Sequence, residues 1–302
     1  MTYSPDAYDD AHPALTAAAG ASLTAYREAR AALGREELAQ TVAEGADGTP
    51  TMRIDRLVED AVLAALAPHH VNVLSEESGW LDKGSEVSLV IDPLDGSANG
   101  AAGVPLTAFA GAVAVAGEFT EAFTVWLDTG RSWWAHRDRP AAYRTSGRRE
   151  LAGSALSMLR PHTAEPGPAA AWWAAASRVH RVRILSTTCL EAALVAEGAI
   201  DAFADACSDT HRLVDLAAAA VMVPAAGGAV LDVRGRPLSF DTDLTRRWSG
   251  VVAATPQLAA ELVSVLAEAA DAAETGPVGT ASAPVAPSAP VSVPVPVSAP
   301  GI

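Results

Sequence analysis

Val87-Ser88-Leu89-Val90-Ile91-Asp92-Pro93-Leu94-Asp95-Gly96-Ser97 is the stretch on which the fold turns. Its first five residues form the apolar, β-branched run of a buried strand. That run leads straight into two carboxylates spaced i and i+3, held on a tight turn by Pro93 and Gly96. Carboxylates this close repel unless a cation or a proton sits between them. Gly96 lets the backbone pass close to a ligand, and Ser97 can open a helix whose first N–H groups point at an anion. Metal-binding carboxylates beside an anion-binding helix start are what phosphoryl transfer to water requires. The same residues also suit a plain type I turn, since Asp-Pro and Asp-Gly are common turn formers. The hexapeptide alone leaves both readings open.

Working outward, other acids stand where elements begin or end. Glu76-Glu77 follow an expected short strand, Val71 to Leu74, and strand ends in α/β folds are where ligands gather. A solvated surface turn is the competing account of that pair. Asp55 lies early in an expected helix from Arg53 to Leu66, which carries Ile54, Leu57, Val58, Ala61 and Val62 on one face. Asp215 opens an apolar helix expected from Leu213 to Val223. An acid at a helix start serves equally well as a cap or a dipole partner.

Taken together, these segments resemble one family. Asp47-Gly48-Thr49-Pro50-Thr51 with Asp55, Ser75-Glu76-Glu77, Ile91 to Asn99, and Asp215-Leu216-Ala217-Ala218 leading to Ala226-Gly227-Gly228 are similar, in order and spacing, to the inositol monophosphatase superfamily. Within it they look like the branch of archaeal-type inositol monophosphatase/fructose-1,6-bisphosphatase enzymes, and the resemblance runs from about Thr41 to Ala254. It implies an α/β (α+β) fold, a layered α-β-α-β-α sandwich, and a lithium-sensitive phosphatase using two or three Mg²⁺ ions. It implies that Glu76, Asp92 and the carbonyl of Leu94 hold one ion, and that Asp92, Asp95 and Asp215 hold a second. Asp55 and Ser97, with Glu76, would serve the attacking water, and the Gly96 and Ser97 amides would receive the phosphate. Ser186, Thr187, Thr188 and Asp205 match substrate-facing positions, although Ser186 to Thr188 also read as an ordinary helix cap. A homodimer is implied as well. Three departures stand out: Gly100 where the family commonly has an aromatic, Val214 where it often has Trp, and Ala225 where it has Glu. Gly100 is expected to remove a wall near the substrate entrance.

The remainder of the chain bounds the reading. Its 302 residues are half hydrophobic, with 36 acids against 21 bases and a net charge of -15, which disfavours a nucleic-acid polymer as partner. Lys83 is the only lysine, so positive charge at an anion site must come from Arg, helix starts or metal. Cys189 and Cys207 form no disulfide framework or zinc pattern and read as buried thiols. The acidic first residues lack the layout of an export signal, and no apolar run suffices to span a bilayer, so a cytoplasmic protein free of membrane is expected.

Residues 1–150 are expected to form an N-terminal α+β half carrying the metal motif, with a long helix from Ala14 to about Glu44. An antiparallel meander follows through Phe109 to Val115, Ala122 to Leu127, Trp133-Trp134 and Ala141 to Tyr143. Residues 151–274 alternate helix and strand, with Val230 to Val233 as the last strand, and complete the site. Residues 275–302, rich in Pro, Val, Ala and Ser, read as a disordered tail. Trp133-Trp134 and Trp172-Trp173 read as core or subunit contact. Asp241-Thr242-Asp243 imitates a phosphatase nucleophile motif but lacks the downstream Lys, and reads as a surface loop. Three functions stay in view: a phosphatase on a cyclitol or sugar phosphate, the same chemistry on a nucleoside or specialised-metabolite phosphate, and a non-catalytic ligand-binding relative. The full acidic set argues against the third, because clustered carboxylates without a use destabilise a fold.

Overall fold

The computed structural model describes residue 8 and residues 10–275; nearly all of the Pro-rich tail lies outside the described residues. The chain builds α1 (Pro13–Ala32), α2 (Arg35–Leu38), β1 (Thr41–Glu44), β2 (Pro50–Met52), α3 (Arg53–Leu66), β3 (Asn72–Ser75), β4 (Gly79–Leu81), β5 (Val87–Asp95) and α4 (Ser97–Ala102). Then come β6 (Ala108–Val115), β7 (Glu118–Trp126), β8 (Arg131–His136), β9 (Ala155–Met158), α5 (Pro166–Ala176), β10 (Arg181–Arg183) and α6 (Thr188–Ala196). The last elements are β11 (Ala202–Ala204), α7 (Leu213–Ala225), β12 (Ala229–Asp232), β13 (Gly250–Ala253) and α8 (Pro256–Thr275).

A six-stranded sheet of order β4-β3-β5-β6-β7-β8 and a five-stranded sheet of order β10-β9-β11-β13-β12 form the two β layers, with β1 and β2 as a separate hairpin. Helices α1 and α3 pack on one face of the larger sheet, α6 and α7 lie between the sheets, and α5 and α8 cover the far face of the smaller one. The result is the expected α-β-α-β-α sandwich. Each interface has its own apolar filling: Leu15, Ile54, Val58 and Ile91 on the outer side of the large sheet, Leu190, Phe203 and Met222 in the middle, and Leu156, Leu258 and Leu262 beneath α8. The middle layer explains why α6 and α7 have no polar stripe, since both faces of these helices are covered.

Four expectations change. The helix expected from Ala14 to Glu44 stops at Ala32, because Leu33 is extended (φ -118°, ψ 150°) and Gly34 follows, and its last part becomes α2 and β1. The meander of β6, β7 and β8 is antiparallel as expected, but the sheet as a whole is mixed, since β3 and β5 run parallel. Ala141 to Tyr143 is not a strand: its backbone leaves the sheet and Ala141 N–H donates to Ala225 O at 2.9 Å. Val230 to Val233 is not the last strand, for β13 follows and inserts between β11 and β12. Strand β13 is four residues long and fully enclosed, too short for an alternating pattern. Of the tryptophans, Trp133 is core, whereas Trp173 is 70% exposed.

One irregularity positions the site. The β5–β6 register runs without a break from Val87↔Val115 to Asp92↔Ala110, then slips before Asp95↔Ala108. Pro93 sits in the slip, where it has no N–H to donate to the ladder. Its carbonyl accepts the Ser22 hydroxyl at 2.7 Å. A bulge of this kind turns side chains out of the strict alternation of a strand, bringing Asp92 and Asp95 toward a common point.

Candidate active site

Each acid is anchored by its local backbone. Asp92 Oδ1 accepts Leu94 N–H at 3.0 Å. Asp95 Oδ2 accepts the Thr187 hydroxyl at 2.5 Å and Cys189 N–H at 2.8 Å, tying the end of β5 to the start of α6. Asp55 and Asp215 occupy the same place in α3 and α7: in the first turn, with Oδ2 accepting the N–H of the residue before the helix, Met52 at 2.9 Å and Arg212 at 2.6 Å. Both are therefore caps, as the plain reading of an acid at a helix start holds. The capping oxygen is only half of the carboxylate; Asp55 Oδ1 is buried, and the Ser97 hydroxyl is the group that most opposes the upward push of burial on Asp55.

The cluster is electrostatically strained. Burial raises Asp92 well above the usual carboxylate range, and Glu76, Asp95 and Asp215 push it further, so the four groups share one field. Asp95 is pushed up to about 6, first by burial, against the pull of the Thr187 hydrogen bond. Glu76 is raised by burial and by Asp215, while Arg212 opposes. Burial works on Asp215 in the same sense, but there the Arg212 guanidinium prevails and holds it below its usual value.

The donor set fits a hard divalent cation. Oxygens of Asp92 and Asp95 and the Cys189 sulfur lie within 4.8 Å of one another. Burial drives the Cys189 thiol far up, so it stays protonated, and it donates to Asp215 O at 3.5 Å. That leaves carboxylate oxygens, the ligands Mg²⁺ prefers. Glu76, with Asp55, Glu59, Glu77, Pro93 and Leu94, lines the crevice beside them.

The phosphate and substrate positions fare unevenly. Gly96 caps α4 at φ 82°, and a Cβ there would lie 2.7 Å from Leu106 O, so only glycine fits. Ser97 begins α4, and its hydroxyl donates to Leu94 O at 3.0 Å. Ser186 stands just before α6 in a left-handed conformation, φ 59°. Thr187 is buried and turns its hydroxyl inward to Asp95, neither capping α6 with its side chain nor facing outward. Thr188, also buried, opens the helix. Asp205 is fully buried, and its two oxygens organise the following turn through Ser208 N–H and Thr210 N–H, both at 2.8 Å. No face of Asp205 is left for a substrate hydroxyl. Gly100 opens no wall either: Thr107, Tyr26 and Ile54 pack against it at 3.1, 3.3 and 3.4 Å from where a Cβ would stand.

The sequence reading overlooked Arg212, which holds Asp47, Glu76 and Asp215 at once. It also named Asp47 only as part of the segment leading to Asp55, with no role of its own. The signal was present, since a cation was required and Arg212 lies three residues before Asp215, but a side chain's reach is not written in spacing.

A layered sandwich whose acids converge from the end of β5, the turn after β3 and the starts of α3 and α7 goes with the class of phosphoric monoester hydrolases. The family model described as the inositol monophosphatase family matches residues 10–271, and the chain belongs to that family. Fructose-1,6-bisphosphatase/inositol-1-monophosphatase of Thermococcus kodakarensis is 31% identical over 232 residues, 74% of this chain and 86% of that protein. The protein of the same description from Archaeoglobus fulgidus is 30% identical over 244 residues, 80% of this chain and 93% of its own length. A crystal structure of an inositol monophosphatase–fructose 1,6-bisphosphatase aligns with a TM-score of 0.70 at 27% identity, covering 81% of this chain and 94% of that one.

Proposed function

We propose that this enzyme is a Mg²⁺-dependent, lithium-sensitive phosphomonoesterase acting on a small phosphorylated cyclitol or sugar, of the inositol monophosphate or fructose-1,6-bisphosphate type. The observation that carries the proposal is the meeting of Glu76, Asp92, Asp95 and Asp215, from three separate parts of the chain, in one buried field. Glu76, Asp92 and Leu94 O would hold one ion, and Asp92, Asp95 and Asp215 a second, with room in the family scheme for a third. Bound there, the ions supply a lowered pKa to a water molecule and offset the charge on the leaving alkoxide. The chain's own groups do the rest. Gly96 and Ser97 N–H groups at the start of α4 receive the phosphate oxygens. Asp55, raised first by burial against the pull of the Ser97 hydroxyl beside it, takes the proton of the attacking water, with Ser97 orienting that water and Glu76 nearby. Ser186 and Thr188, at the start of α6, would meet the substrate's hydroxyls.

The enzyme would work in the cytoplasm as a homodimer, with the exposed Trp173 of α5 suited to a subunit contact. Among the described residues no helix is long and apolar enough to cross a membrane. The deciding experiment is phosphate release from inositol, hexose and nucleoside monophosphates and fructose-1,6-bisphosphate, with Mg²⁺ and with a chelator. Release only with Mg²⁺, fastest on a cyclitol or sugar phosphate, is expected. No release from any of them, or equal release under chelation, would overturn the proposal.

A further inference from the structure

Arg212 is the residue before α7, and its guanidinium spends its donors on three carboxylates. Nη1 meets Asp47 Oδ2 at 2.7 Å and also Glu76 Oε1. Nη2 meets Asp215 Oδ1 at 2.9 Å, while Nε reaches Asp215 Oδ2 at 3.2 Å. The contact with Asp215 is thus a two-pronged fork, which fixes the plane of the carboxylate as well as its distance. Only 16% of the Arg212 side chain is exposed, and Asp47 is 1% exposed at its side chain, so water does little to loosen the group.

Asp47 is not among the proposed ion ligands, and its own position is secured separately. Its Oδ1 accepts Thr49 N–H at 2.9 Å and the Thr49 hydroxyl at 2.7 Å. Arg247 lies 4.0 Å from its Oδ2 and supplies further positive charge. Asp47 is therefore a fixed post in the loop before β2, Arg212 is the arm, and Glu76 and Asp215 are what the arm holds.

Resting on the metal-dependent reading above, we infer that the Asp47–Arg212 pair is a positioning clamp for the metal centre. It sets the separation of Glu76 and Asp215, which belong to the two different ion sites of that reading, and so couples the two sites mechanically. Without it, two carboxylates on separate elements repel each other and part, because nothing else among their described hydrogen bonds links Glu76 to α7. Arg212 touches neither substrate nor water in this account; it acts through its two carboxylates.

The test uses the full-length protein and Mn²⁺ as probe, read by electron paramagnetic resonance of free Mn²⁺ and by calorimetry. Arg212→Gln is expected to raise the Mn²⁺ Kd about tenfold or more, the usual scale when a group that orients a ligand is lost. Arg212→Lys should recover only part of this, since an ammonium has no fork. Asp47→Asn leaves every proposed ligand in place and guards against misfolding of the arginine variants. It should weaken Mn²⁺ in the same direction, and the double variant should cost less than the two effects combined. An unchanged or lower Kd in Asp47→Asn and Arg212→Gln, with wild type binding normally, overturns the clamp alone. Failure of wild type itself to bind Mn²⁺ overturns the metal-dependent reading, and the clamp with it.

Discussion

Thr187 and Asp95 are 92 residues apart in the chain, yet the Thr187 hydroxyl donates to Asp95 Oδ2 at 2.5 Å. The bond joins the last residue of β5 to the residue before α6, so the larger sheet and the middle helical layer meet at a carboxylate of the site. A hydrogen bond to an ionised group is worth about 1.5–3 kcal/mol. Asp95 also takes Cys189 N–H, and together these donors fix one of its oxygens.

Replacing Thr187 by Val keeps the shape and removes the donor. The expected outcome is a fall of about tenfold or more in kcat/KM, from that hydrogen-bond value, with the melting temperature also lowered. Thr187→Ser should stay near wild type. Steady-state kinetics and thermal melts of the two variants check this, and equal loss in both would assign the effect to packing of the methyl group.

Asp95→Asn keeps the hydrogen-bonding oxygen and removes the charge. Turnover should fall by orders of magnitude with circular dichroism unchanged. Turnover near the wild-type value at saturating Mg²⁺ would exclude Asp95 as an ion ligand.

Gly96→Ala forces a side chain into φ 82° and sets a Cβ 2.7 Å from Leu106 O. The left-handed conformation alone costs about 1–2 kcal/mol, and the carbonyl must move as well. A drop in melting temperature together with a raised KM is expected, because the amides of Gly96 and Ser97 shift with the turn. A raised KM without a change in melting temperature would show that the turn relaxes freely.

Glu191 tests the pH dependence of the middle layer. It is fully buried, accepts Thr187 N–H at 3.2 Å and the Ser157 hydroxyl, and burial pushes it from 4.5 up to about 8. A group raised in the folded state contributes its stabilisation fully below the unfolded value, about 4.5, and loses it as pH rises through about 8. Glu191→Gln, which cannot ionise, should therefore match wild type near pH 5 and melt higher than wild type near pH 8. Parallel melting curves across that range would show that Glu191 is ionised throughout.

How much of this was legible beforehand can be argued residue by residue. The apolar run of β5, the helix Arg53–Leu66 and the acids at strand ends and helix starts could be read from periodicity and from breakers, which act within a few residues of one another. Sequence by itself was enough for the family and the sandwich. Tertiary structure decided which partners those acids have. It turned Thr187 inward, engaged Asp205 in its own turn, packed Thr107, Tyr26 and Ile54 around Gly100, and placed Arg212 among Asp47, Glu76 and Asp215. Each of these depends on a rotamer and on the approach of segments distant in the chain. Local pattern constrains the backbone conformation of a segment, but the direction and reach of a buried side chain are settled only when the layers close around it.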